Sequence, residues 1–175
     1  MYIQEDNARR YTVGVLVDNE PGVLSRVSGL FSRRGFNIES LTVGTTMDPQ
    51  VSRITIVVKG DEAKIEQLVQ QLYKLICVQK VQVMQPRNSV ERQLLLVKVK
   101  ADVTEREGLM RLVDIFKAKV LDVTRSSMVL QITGENYKIA SMLSLLEDYG
   151  ILELVRTGIV ALERGDGVMS SDIFD

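Results

Sequence analysis

Strand-type and helix-type hydrophobic periods run strand, helix, strand, strand, helix, strand through the first half of this chain, and the same order recurs after Ser89. A chain written this way folds as two β-α-β-β-α-β units of the α+β class, the ferredoxin-like order. In the first copy Tyr11, Val13, Val15 and Val17 alternate with Thr12, Gly14 and Leu16, which makes one strand face apolar. Pro21 suits a first helical position, and Val23, Leu24, Val27, Leu30 and Phe31 keep the helical period until Gly35, a natural stop. Asn37–Thr45 and Val51–Lys59 read as strands joined through Asp48-Pro49. Ile65, Leu68, Val69, Leu72 and Ile76 mark a second helix, and Val78–Met84 a fourth strand.

Gln85-Pro86-Arg87-Asn88-Ser89 interrupts the periodicity and reads as a linker, giving expected domains at 9–85 and 91–163. In the second copy Gln93–Lys100 is a strand, and Thr104 is placed to cap a helix carrying Leu109, Leu112, Val113 and Phe116. Val120–Thr124 and Met128–Thr133 are short strands. A helix with Ile139, Met142, Leu143 and Leu146 follows, and Ile151–Leu162 is mostly strand. Gly60-Asp61 and Gly134-Glu135 occupy equivalent places in the two copies. The tail from Glu163, with Gly165-Asp166-Gly167, is expected to be mobile.

Several function classes are disfavoured by what the chain lacks. There is no histidine, so the commonest general base near neutral pH is missing, and the one cysteine, Cys77, makes neither a disulfide nor a thiolate cluster. Cys77 sits between Ile76 and Val78 and reads as a small buried apolar residue. Neither a GxGxxG nor a GxxxxGK[ST] motif is present, which argues against nucleotide binding. A formal charge of -1 gives no reason to expect nucleic acid or an anionic membrane as partner. Domains of this order that bind RNA stack bases on exposed sheet aromatics, but Phe31 and Phe116 belong to apolar helix stripes, Phe36 to a turn and Phe174 to the tail. Met1–Asp6 carries no basic region followed by an apolar stretch, and no stretch is long enough for a membrane span. The expected compartment is therefore the cytoplasm.

One segment is equipped to hold a ligand. Asn19-Glu20-Pro21-Gly22-Val23-Leu24 lies between the first strand and the first helix, where unpaired amides can receive a carboxylate. Asn19 offers a carbonyl oxygen and an amide, Gly22 leaves room at the helix start, and Val23 and Leu24 supply an apolar edge. Asp18 and Glu20 flank Asn19 and can attract an ammonium group, and Asn37 comes near the same site if two chains pair. Such a set suits a zwitterionic amino acid. The same residues also make an ordinary turn before a capped helix.

Asn19-Glu20-Pro21-Gly22-Val23-Leu24-Ser25-Arg26-Val27, together with Arg34-Gly35-Phe36-Asn37-Ile38-Glu39-Ser40-Leu41-Thr42-Val43, resembles the ACT domain of acetolactate (acetohydroxyacid) synthase small regulatory subunits. The likeness continues through Ser52-Arg53-Ile54-Thr55-Ile56, Glu91-Arg92-Gln93-Leu94, Leu121-Asp122-Val123-Thr124 and Arg156-Thr157-Gly158, covering 9–164. The resemblance implies that the first domain is an ACT domain. It implies a non-catalytic partner of a large subunit that carries thiamine diphosphate, magnesium and FAD, and that this chain activates it and confers feedback inhibition by valine or another branched-chain amino acid. It further implies a homodimer with the effector between chains: Asn19, Gly22, Val23 and Leu24 on one wall, Asn37 and Ile38 from the partner, and Pro21 and Ser25 supporting the loop. Gly44 stands where members often have alanine, which leaves that strand more freedom. The alternative is an ACT-type amino-acid-sensing module acting on another enzyme or on transcription, although no helix-turn-helix segment is visible for DNA contact.

Overall fold

In a computed structural model, which describes residues 9–169, the chain divides into two compact units. Met1–Asp6 and Phe174, both used in the sequence reading, lie outside the described residues. The first unit holds β1 (Arg9–Asp18), α1 (Val23–Arg33), β2 (Ile38–Thr45), β3 (Val51–Gly60), α2 (Glu62–Leu72) and β4 (Val78–Val83). Its antiparallel sheet has the order β2-β3-β1-β4. The second unit, residues 91–158, contains most of β5 (Ser89–Lys100), then α3 (Arg106–Phe116), β6 (Lys119–Val123), β7 (Ser127–Gly134), α4 (Asn136–Glu147) and β8 (Ile151–Arg156). Its strand order β6-β7-β5-β8 is the same permutation, so the α+β duplication expected from the periodicity is what the chain forms.

The first core is built by the alternation read from β1. Val13, Val15 and Val17 pair with Ile56, Ile54 and Ser52 on β3, and their side chains meet Val27, Leu30 and Phe31 of α1 and Leu68 and Leu72 of α2. Phe31 is wholly buried and meets Phe36 edge-on, with ring centroids 6.0 Å apart. The second core repeats the scheme with Leu95, Val97 and Val99 against Leu109, Val113, Ile139, Met142 and Leu146. Cys77 is buried, and its carbonyl accepts the Asp18 N–H at 2.9 Å.

The structure corrects several details. Ile76 is not part of the α2 stripe: the helix ends at Leu72, and Ile76 is 98% exposed. Tyr73 turns the chain there, its hydroxyl accepting the Val81 N–H at 3.0 Å. Pro21 lies before α1 rather than in it, and Gly22, at φ 86°, is the residue that opens the helix. Thr104 does not cap α3. The helix starts two residues later, because the Asp102 carbonyl closes the preceding turn by accepting from the amides of Glu105 and Arg106. β5 begins at Ser89, four residues earlier than its alternation suggested.

The run expected as one strand at Ile151–Leu162 breaks after Arg156, and Ile159 onward groups with the first unit rather than the second. Here the Ile159 N–H donates to Ser40 Oγ at 2.9 Å, and Arg164 donates from its N–H to the Asn88 carbonyl at 2.8 Å. β9 (Val160–Glu163) pairs with β5, whose first residues Ser89 and Val90 belong to this unit. Residues 164–168 are exposed, and Met169 is half-buried where a Cβ on Gly14 would lie 3.1 Å from its Sδ and 3.0 Å from Met84 Cε. Gly14 thus gives Met169 its place on the outer face of the first sheet.

Candidate functional site

β1 ends at Asp18, and the next residues must reverse direction to lay α1 across the sheet. Gly22 does this in the left-handed region, where a side chain is disfavoured. The Val23 N–H reaches the Glu20 carbonyl at 3.4 Å, and the Arg26 N–H reaches the Gly22 carbonyl at 3.0 Å. No side chain caps the helix, and among the described residues nothing accepts from the amides of Gly22, Leu24 or Ser25. Three N–H groups at the positive end of a helix are therefore open to an anion.

Asn19 is already engaged within the chain. Its Nδ2 donates to the Pro49 carbonyl at 2.9 Å, its Oδ1 accepts from Ser52 Oγ at 3.1 Å, and its backbone N–H donates to Gln50 at 2.7 Å. The carboxamide ties the end of β1 to the β2–β3 turn, and one Nδ2 proton and one lone pair remain for a ligand. Asp18 is engaged too, accepting from Gln79 Nε2 at 2.7 Å. Pro49 and Ser52 as supports of Asn19 were not legible as site residues; the only signal was the Asp48-Pro49 turn.

The two expected apolar wall residues part company. Val23 points into the core, whereas Leu24 is 45% exposed beside the open amides. Asn37 is exposed just before β2, and Ile38 is half-buried against the core. These two lie beyond the far end of α1, an 11-residue helix about 16 Å long. A single chain therefore brings Asn19, Gly22 and Leu24 together and leaves Asn37 and Ile38 apart. The start of β2 is held by Glu39, which pairs with Arg10 at 2.7 Å and Lys59 at 3.1 Å.

The helices of the second unit also start without a side-chain cap, and what sets the start of α1 apart is the left-handed Gly22, where α3 and α4 are preceded by Glu105 and Glu135 at negative φ. In the equivalent loop Arg106 donates from its guanidinium to the carbonyls of Ala101 and Thr124, closing the turn on itself. Among the described residues no group of three or more Asp, Glu or Cys side chains is set to hold a metal ion, and no helix is long and apolar enough to cross a membrane. What the first unit brings together here is a set of helix-end amides, a carboxamide and an exposed leucine.

Known proteins resemble this chain over nearly its whole length. Residues 13–80 match the family described as the AHAS small subunit-like ACT domain, and 92–165 match the small subunit of acetolactate synthase. The chain is 50% identical over 157 residues to a protein of Archaeoglobus fulgidus named "Probable acetolactate synthase small subunit", covering 90% of this chain and 98% of the relative. It is 48% identical over 155 residues to the acetolactate synthase small subunit of Mycolicibacterium smegmatis, covering 89% and 91%. The crystal structure of the small subunit from Thermotoga maritima superposes with a TM-score of 0.85 at 43% identity, covering 91% of this chain and 99% of that one.

Proposed function

The chain belongs to the acetolactate synthase small-subunit family, and on that premise we propose that it is a non-catalytic regulatory subunit that activates the large subunit and transmits feedback inhibition by valine or a related branched-chain amino acid. Thiamine diphosphate, magnesium and FAD belong, in this reading, to the large subunit.

The observation that carries the effector site is the uncapped start of α1 beside the exposed Leu24. The amino acid's carboxylate accepts from the amides of Leu24 and Ser25, with Gly22 leaving the approach clear. Its ammonium meets the remaining lone pair of Asn19, and its side chain lies on Leu24.

The second wall comes from a second chain. β2 is an edge strand of its sheet, so its outer backbone groups can pair with a copy of itself. A two-fold axis through such a pair makes the β2 strands antiparallel. The start of one β2 then lies beside the end of the other, and Thr45 at that end pairs with Ser52, the residue that holds Asn19. This brings Asn37 and Ile38 of the partner subunit toward the Asn19–Leu24 wall that they cannot reach within one chain.

Activation is assigned to the second unit, where Leu121, Val123, Leu152 and Val155 are each at least half exposed. Calorimetric titration with valine tests the effector site: wild type binds saturably and Gly22→Asp does not, because its carboxylate opposes that of the ligand. Equal affinities would reject the site. Leucine and isoleucine titrated in parallel give the side-chain preference.

A further inference from the structure

Among the described residues, Arg53 has no carboxylate partner. It stands on β3 with its side chain on the outer face of the first sheet, in the row it shares with Leu16 on β1 and Gly44 on β2. Its Nη2 donates to the Ala161 carbonyl at 2.8 Å, but its Nε is buried and has no hydrogen-bond partner. Burial pushes the guanidinium below its ordinary pKa, although arginine keeps its proton in any aqueous setting of interest. Part-buried charges in folded proteins are ordinarily matched by an opposite charge, and the Arg53 guanidinium suits one.

Arg53 lines a cavity of about 420 Å³. The volume falls within the range of roughly 300–1,000 Å³ that small-molecule sites occupy. Its wall is mainly apolar, with Leu16, Val51 and Met169 beside Arg53, and Thr46 and Asp48 at the β2–β3 turn. Asp48 is turned to its own loop, where its Oδ1 accepts the Gln50 N–H at 2.9 Å. One fixed guanidinium above an apolar floor suits a group with a single planar negative charge and a short hydrocarbon chain. An acidic residue on the rim disfavours a dianion such as phosphate.

We infer that this cavity is a second ligand site, separate from the start of α1, and that it takes a small aliphatic monocarboxylate whose oxygens accept from Arg53 and whose chain lies on Leu16, Val51 and Met169. The turn that lines this cavity at Thr46 and Asp48 is the one Asn19 grips through Pro49, so the two sites share one structural element through which occupancy of one biases the other.

The test uses the full chain and isovalerate, followed by backbone amide shifts in nuclear magnetic resonance. Isovalerate is expected to shift Leu16, Val51 and Arg53 saturably in the millimolar range. Isopentylamine, with the same chain length and a cation in place of the carboxylate, and inorganic phosphate are expected to give no saturable shift there. Arg53→Met should weaken isovalerate about tenfold or more, the loss of one charge-assisted pair. Gly22→Asp should leave it unchanged. Should Arg53→Met not fold, the comparison of isovalerate with isopentylamine on the wild type still decides. Equal binding of the amine, unchanged affinity in folded Arg53→Met, shifts confined to residues 22–25, or no saturable shift at all would each overturn the inference.

Discussion

Asn19 Nδ2 donates to the Pro49 carbonyl at 2.9 Å, so the residue that follows β1 also fixes the turn between β2 and β3. With Ser52 Oγ on its Oδ1, one carboxamide joins the end of β1 to both the β2–β3 turn and the start of β3, some thirty residues away. Asn19→Ala removes both bonds and should lower stability by about 1–2 kcal/mol, read from the urea unfolding midpoint. Valine affinity should fall by more than Asn19's direct contact explains, since the whole wall loosens. An unchanged midpoint would mean that the turn holds itself.

Gly22 separates backbone strain from ligand exclusion. A Cβ at this position meets nothing within 4 Å, yet φ is 86°. Gly22→Ala should therefore cost about 1–2 kcal/mol of stability through the left-handed backbone alone while keeping measurable valine binding. Gly22→Asp should show a comparable loss of stability and no binding. If the alanine variant also fails to bind, the site depends on backbone conformation more than on open space.

The corrected end of α2 is checked by a pair of truncations. Phe31→Ala, at a wholly buried position, should destabilise the chain by about 3–5 kcal/mol. Ile76→Ala should stay within about 0.5 kcal/mol of wild type, since that side chain is 98% exposed. A large loss at Ile76 would show that it packs as the helical period first suggested.

Much of the fold could be read because its signals are local. The alternation of Val13, Val15 and Val17 and the spacing of Val27, Leu30 and Phe31 each define a face without reference to the rest of the chain. Ile76 misled because the period continues past the point where Tyr73 turns the backbone toward Val81. The placement of 159–169 was illegible for a different reason. It rests on Arg53 with Ala161, Ser40 with Ile159 and Gln82 with Glu163, pairs separated by roughly half the chain or more. The open helix end was visible as Pro21-Gly22, while the internal duties of Asn19 required the structure to bring Pro49 and Ser52 beside it.

The two-chain pocket predicts a role for Val43, which lies on the edge strand β2 and is 43% exposed. Val43→Glu places like charges on the two strands proposed to meet, so it should shift the dimer toward monomer in light scattering and weaken valine binding in step. A monomeric variant that keeps wild-type valine affinity would remove the need for a second chain.

Val155, 61% exposed on β8, serves the assignment of activation to the second unit. Val155→Asp should reduce activation of the large subunit severalfold while leaving valine titration unchanged. Full activation would place the productive contact elsewhere.

Reconstitution with the acetolactate synthase large subunit tests the regulatory account most directly, with acetolactate formation measured for each chain alone and for the mixture, with and without valine. The account predicts no product from this chain alone, a clear rise in the large subunit's turnover when it is added, and inhibition by valine in the mixture that disappears with Gly22→Asp. Turnover unchanged by the addition, or valine inhibition of equal strength without this chain, would contradict it.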